Sequence, residues 1–397
     1  MQYDFESYIR RVGAGSRKWD EMCELYPDPP ENMVPLSVAD MELRNPPEII
    51  EGLKEFLDNT ILGYTGPTQA YFDSVISWME RRHGFAPKRE WFVETPGIVP
   101  AIEQLVSAYT QPGDGVLVTP PVYYPFFHIV KGCGRKIITS ALVARGRTYD
   151  IDFDDFAAKA ALPETKLFIL CSPHNPVGRV WTREELIRIS EICLENEVYI
   201  ISDEIHSDII MPGHRFTSIA NLGGEFFENC ALCTAPSKTF NMAGVQVSNL
   251  FIPNEQRRAK LREARGYSSL NIFAYKACEI AYNRCEQWLE QLIVHIDSNR
   301  QLAESFFSEK IPGVKVYELQ GTYLLWLDFR CFGLNDKDLE TFLRRKAGWF
   351  TDEGYIFGEG GSGFERLHLA VPGSALEYML NRLYTALAEE NMLHASC

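Results

Sequence analysis

The chain has 397 residues, 46% hydrophobic and 23% charged, a globular composition with length enough for two domains. Its formal net charge of −15, with no Lys/Arg tract to offset it, argues against a nucleic-acid partner. No apolar run approaches the roughly 20 residues of a membrane span. The start, Met1–Gln2–Tyr3–Asp4–Phe5–Glu6, is acidic where a secretory signal would be basic and then apolar, so a cytoplasmic protein is expected.

In chain order, roughly the first 45 residues show no strong period. Trp91–Glu94 reads as a short strand. Ile98–Tyr109 has helical spacing, with Ile98, Ala101, Ile102, Leu105 and Ala108 on one face. Gly115–Thr119 and Lys166–Cys171 read as strands. Thr182–Glu195 reads as a helix, with Thr182 as N-cap and Glu185 at the capping-box position. Tyr199–Asp203, Asn229–Thr234 and Val247–Ile252 are further strands. Short apolar strands alternating with amphipathic helices predict a mostly parallel, helix-covered sheet, an α/β fold.

The pattern then changes. One long helix is expected over Ala277–Phe307, followed by Val314–Tyr317, Thr322–Asp328, a helix at Asp336–Lys346, a strand at Arg366–Ala370 and a helix at Ser374–Glu390. This reads as a smaller α+β module onto which the N-terminal residues pack. The expected division is a large domain at 48–287 and a small, discontinuous one at 1–47 and 288–397. The ten cysteines read as reduced thiols. Cys230 and Cys233 form a lone CxxC in a strand, where a spacing of three puts them on opposite faces. No second pair or nearby His completes a site, so no metal is expected.

Ligands of α/β sheets sit at the carboxyl ends of strands. Three strand ends here carry unusual polar groups: Asn175 in Cys171–Gly178, Asp203 in Ser202–Asp208, and Lys238 in Ala235–Gly244. Singly, each has an ordinary reading: a turn, a cap, a solvated charge. Together they supply what pyridoxal 5′-phosphate (PLP) needs. Lys238 offers an amine for its aldehyde. Asp203 offers a carboxylate to keep the pyridine nitrogen protonated, and Asn175 a hydrogen bond to the ring hydroxyl.

These residues resemble fold-type-I PLP enzymes, the aspartate aminotransferase superfamily. The chain is most similar in pattern to the MalY/PatB-type cystathionine β-lyase branch. The resemblance runs over nearly the whole chain and includes Val38–Ala39–Asp40–Met41, Gly63–Tyr64–Thr65, Ser172–Pro173–His174–Asn175–Pro176, Ser202–Asp203–Glu204–Ile205–His206, Ser237–Lys238–Thr239–Phe240–Asn241, Gly321–Thr322–Tyr323 and Phe364–Glu365–Arg366–Leu367. It implies a seven-stranded sheet in the large domain and a homodimer with shared sites. It assigns Gly97, Ile98, Val99 and Ser237 to the cofactor phosphate, with Tyr64 reaching the neighbouring subunit's phosphate. Tyr123 would stack on the pyridine ring, with Tyr124 as its rival. Arg366 would grip the substrate α-carboxylate, and Ala39 would line the substrate site.

Two departures from the aminotransferase pattern matter. His206 stands where many of those enzymes carry a Tyr, and Gln246 where they often carry an Arg. Gly358–Gly363 satisfies GxGxxG, but it leads into a strand pattern rather than a helix and is read as a loop that places Arg366. His174 is open between a site role and a structural one. The resemblance implies β-elimination from cysteine S-conjugates with an amino-acid substrate. An aminotransferase is the alternative, and a PLP-bound regulator acting through a protein partner is a more remote one.

Overall fold

The computed structural model describes residues 3–266 and 269–393. The main sheet has seven strands: β1 Phe92–Thr95, β2 Gly115–Val118, β3 Lys136–Thr139, β6 Thr165–Cys171, β7 Tyr199–Asp203, β8 Cys230–Thr234 and β9 Ser248–Phe251. A hairpin, β4 Val143–Arg145 and β5 Thr148–Asp150, lies between β3 and β6 in the chain. The spatial order of the main sheet is β1-β9-β8-β7-β6-β2-β3. Neighbours from β8 through β3 pair in parallel, and β9 alone runs antiparallel to both its neighbours.

Strands β2, β7, β8 and β9 are buried along their whole length because helices cover both faces, while the edge strand β3 is partly exposed. In β7, Ile200 enters one apolar cluster while Tyr199 and Ile201 enter the other. Cys230 and Cys233 divide in the same way, as their spacing predicts. The Ile98–Tyr109 helix packs Ala101, Ile102 and Leu105 onto one face. The Arg183–Glu195 helix packs Leu186, Ile189 and Cys193 onto the other. Its capping box is formed as expected: the Glu185 N–H donates to the Thr182 hydroxyl at 3.2 Å, and the Thr182 N–H to the Glu185 carboxylate at 2.7 Å.

The second sheet is antiparallel, in the order β10 Lys315–Val316, β11 Leu324–Asp328, β13 Phe364–His368, β12 Asp352–Glu353. The N-terminal segment runs along it: the His368 N–H donates to the Leu36 carbonyl, and the Glu42 N–H to the Ala370 carbonyl. One apolar cluster extends from Trp19 through Ile200 to Leu387, so the core is continuous between the two sheets. Gly358–Gly363 does lead into a strand, β13.

Three expectations are corrected. The helix expected over Ala277–Phe307 is two helices, Ile272–Arg284 and Glu286–Lys310, that meet at a non-helical Cys285. The Cys285 N–H caps the first helix and its carbonyl starts the second, so the break needs no Gly or Pro. The strand expected from Thr322 begins at Leu324, because Thr322 adopts φ 73° and its hydroxyl accepts from the Leu324 N–H. The helix expected at Asp336–Lys346 is α-helical only to Thr341 and continues as a π-helix over Phe342–Ala347. Among the described residues no helix is long and apolar enough to cross a membrane.

Candidate active site

The three polar strand ends lie side by side because β6, β7 and β8 are neighbours. In register, Asp203 faces Cys171 on one side and Cys233 on the other. Backbone bonds continue past the strands: the Ser172 N–H donates to the Asp203 carbonyl and the Glu204 N–H to the Cys233 carbonyl, each at 2.9 Å. Asn175, Asp203 and Lys238 thereby open onto one cavity of about 210 Å³. The same cavity is lined by Gly97, Ile98, Val99, Tyr123, His206, Ser237, Ala39 and Arg366. Every site residue expected from the sequence is there except Tyr64, which is 107% exposed in the single chain.

Lys238 sits in a four-residue helical turn, Pro236–Thr239, and its amine donates to the Ala39 carbonyl. Burial pushes the amine down to about 8; the Arg366 charge adds to this, and Asp40 and Asp203 oppose it. Lys238 and Ala39 also line a wider, more open cavity of about 840 Å³, so the amine stands where the two spaces meet.

Asp203 is buried and accepts one hydrogen bond, from the Ile205 N–H at 3.2 Å. Burial pushes its carboxyl up to about 7, against the Ile205 bond and the Lys238 charge. His206 is buried with Nδ1 unpartnered and its ring against Tyr323, and burial holds it well below the ordinary imidazole value, hence neutral. Gly97 has φ 128°, a conformation suited to glycine, and caps the Ile98–Tyr109 helix. The first N–H groups of that helix have no intrahelical acceptor, which suits an anion. Tyr123 and Tyr124 both line the cavity, so the register between them stays open.

Arg366 is 2% exposed and reaches the cavity from β13. Its Nη1 donates to Asn175 Oδ1 at 2.8 Å and its Nη2 to Asp352 Oδ2 at 2.5 Å, while Nε has no partner. Asp352 also accepts from the Val38 N–H at 2.8 Å. Sequence reading missed Asp352 because it lies on a two-residue strand with no pattern of its own. It also gave Tyr323 no role, although the Tyr323 hydroxyl donates to the Ala39 carbonyl at 3.1 Å. His174 takes the structural reading: it is fully buried, its Nε2 lies 3.0 Å from the Pro121 carbonyl, and it does not line the cavity.

The model of the aminotransferase class I and II family matches residues 31–383. The chain belongs to this family. Cystathionine beta-lyase PatB of Bacillus subtilis is 42% identical over 388 residues, 97% of this chain and all of that protein. The crystal structure of cystalysin from Treponema denticola, which contains a pyridoxal 5′-phosphate cofactor, superposes with a TM-score of 0.96. It is 45% identical, over 98% of this chain and 100% of that one. A PLP-bound C-S lyase from Staphylococcus hominis gives a TM-score of 0.90 at 29% identity, over 98% of each chain. The family member described here has a cavity chemically suited to such a cofactor. A buried carboxylate with one donor can take a second, His206 Nδ1 has no hydrogen-bond partner, and helix N–H groups lie at the Gly97 end.

Proposed function

We propose that the chain is a PLP-dependent carbon–sulfur lyase that eliminates a thiol from cysteine S-conjugates such as cystathionine, leaving pyruvate and ammonia. The observation that carries this reading is the 42% identity to a cystathionine beta-lyase over 97% of this chain and all of that protein. The bound cofactor supplies an electron sink for the pair left at Cα when its proton departs. Lys238 would hold the cofactor's aldehyde and, as a neutral amine, would take the Cα proton. Its lowered basicity supports this role. Asp203 holds the proton at the pyridine nitrogen. Asn175 and His206 address the ring hydroxyl, and Tyr123 covers the ring face. The N–H groups at Gly97, Ile98 and Val99, with the Ser237 hydroxyl, hold the phosphate. Arg366, oriented by Asp352 and Asn175, holds the substrate α-carboxylate beside Ala39. The pair left at Cα would then form the Cα=Cβ bond as the Cβ–S bond breaks, the sulfur leaving with that bond's electrons and taking up a proton as the thiol, and water would convert the released enamine to pyruvate and ammonia.

The reading divides the chain into units at 48–287 and at 1–47 with 288–397, the site lying at their junction. It includes a homodimer in which Tyr64 completes the neighbouring phosphate site. The exposed apolar side chains Ile50, Leu57, Ile61, Leu62 and Tyr64, all within one stretch, support that assembly. A cytoplasmic location is supported by the buried free thiols of Cys171, Cys193, Cys230, Cys233, Cys278 and Cys285. The test is purified protein with cystathionine and no keto acid. Pyruvate with a free thiol is expected. Amino transfer that needs an added keto acid would overturn the assignment.

A further inference from the structure

One buried carboxylate has no part in the proposed chemistry. Asp208 lies five residues beyond Asp203 and is 7% exposed. It accepts from His83 Nε2 at 2.9 Å, from Trp78 Nε1 at 3.2 Å and from the Thr239 hydroxyl at 2.7 Å. Burial works against its charge, yet His83 and Thr239 hold its carboxyl below the usual range. An ionised buried group is costly, and an apolar side chain would often serve stability as well. Two of its donors tie it to the Gln69–His83 helix. The third is the residue next to Lys238.

Just beyond Lys238 the chain is pinned at Phe240 and Asn241, whose carbonyls accept from Asn45 Nδ2, and the Asn241 side chain bonds the Met41 and Leu43 backbone; the turn that carries Lys238 itself is short. It is four residues long and has no side-chain cap. Two backbone bonds close it, from the Phe240 N–H to the Pro236 carbonyl and from the Met242 N–H to the Ser237 carbonyl. By contrast, Asp203 and Asp208 share one short segment, tightened by bonds from the Ser207 N–H to the Glu204 carbonyl and from the Ile209 N–H to the His206 carbonyl. A bond from Thr239 to Asp208 therefore sets the Lys238 amine against the segment that holds the Asp203 carboxylate.

We infer that Asp208 is a positioning residue for the Lys238 amine, acting through the Thr239 hydroxyl. The inference rests on the PLP reading above. Its test is Thr239→Val, which keeps the size and removes the hydroxyl, beside Thr239→Ser, which keeps the hydroxyl. Ile189→Val, in the Arg183–Glu195 helix, reports lost packing alone. In cofactor-loaded protein, Thr239→Val is expected to lower kcat roughly 10-fold with KM changed less than about two-fold. It should also move the pH midpoint of the cofactor's long-wavelength absorbance band and slow the attachment of added PLP to cofactor-stripped protein. Thr239→Ser should restore all three, and Ile189→Val should lower only Tm. Should Thr239→Val not fold, Thr239→Ala gives the same readouts. A Thr239→Val protein with unchanged kcat, midpoint and attachment rate, and only a lower Tm, overturns the inference. Absence of any Lys238-dependent band in the parent protein would instead sink the PLP reading, and this inference with it.

Discussion

The two walls of the cavity are built in different ways. The wall on the main sheet hangs from backbone: Asn175, Asp203 and Lys238 follow three adjacent strands, and ladder-like bonds carry on into the turns. The wall on the second sheet hangs from side chains. Arg366 is held between Asn175 and Asp352, Asp352 also holds the Val38 N–H, and Tyr323 holds the Ala39 carbonyl. The first wall carries the amine and the carboxyl whose proton affinities burial has moved towards neutrality, so it suits proton and electron chemistry. The second carries a fixed cation, so it suits recognition of a carboxylate. Substitutions on the two walls should therefore fail in different ways.

The largest effect belongs to the main-sheet wall. Lys238→Ala should cut pyruvate release by about 1000-fold or more and abolish the cofactor's attachment, read as loss of its long-wavelength band. Arg366→Lys should spare that band and act on substrate. A point charge cannot replace the planar fork, so kcat/KM for cystathionine should fall about 100-fold, mostly through KM. If Arg366→Lys lost the band while KM held, the division between the walls would be wrong.

The same contrast explains what could be read in the sequence. Asn175, Asp203 and Lys238 stand out because each interrupts an apolar strand pattern at its carboxyl end, where an α/β sheet places ligands. Gly97 reads alone as a turn glycine and gains its role through resemblance. Nothing local marks Arg366, which was reached through resemblance. Asp352 was not reached at all, because its importance is a contact between strands formed only by the tertiary fold. The break at Cys285 was hidden for a related reason: the apolar period runs on through a reorientation that no Gly or Pro announces. Nothing in the sequence marks Asp208, whose partners lie on a distant helix and on Thr239 and are joined only by the fold.

Proton affinity within the main-sheet wall gives a smaller, pH-dependent effect. The Asp203 carboxyl is pushed from 3.8 up to about 7 in the cofactor-free fold. Between those values the folded state holds a proton that the unfolded chain has released. Stability from this group is therefore present below about pH 4 and is lost as pH rises through about 7. Asp203→Asn removes that loss. In cofactor-free protein the variant should gain in Tm relative to the parent as pH rises from 4 to 7.5, read by thermal melts at matched pH. A Tm difference that stayed flat over that range would mean that Asp203 is ionised without its cofactor.

The smallest effect tests whether the walls can be separated from the scaffold. The Thr182–Glu185 capping box starts the helix that packs Leu186, Ile189 and Cys193 against the main sheet, and neither residue lines the cavity. Thr182→Ala removes the acceptor for the Glu185 N–H and should cost about 1 kcal/mol of stability. Because β6 and β7 are fixed on both sides by parallel neighbours, that loss should stay in the helix and leave the strand ends where they are. Denaturant melts should show the lower midpoint, with kcat and KM for cystathionine unchanged. A change in kcat of Thr182→Ala matching that of Thr239→Val would mean that the strand-end geometry depends on general sheet packing, and the special standing of the main-sheet wall would be lost.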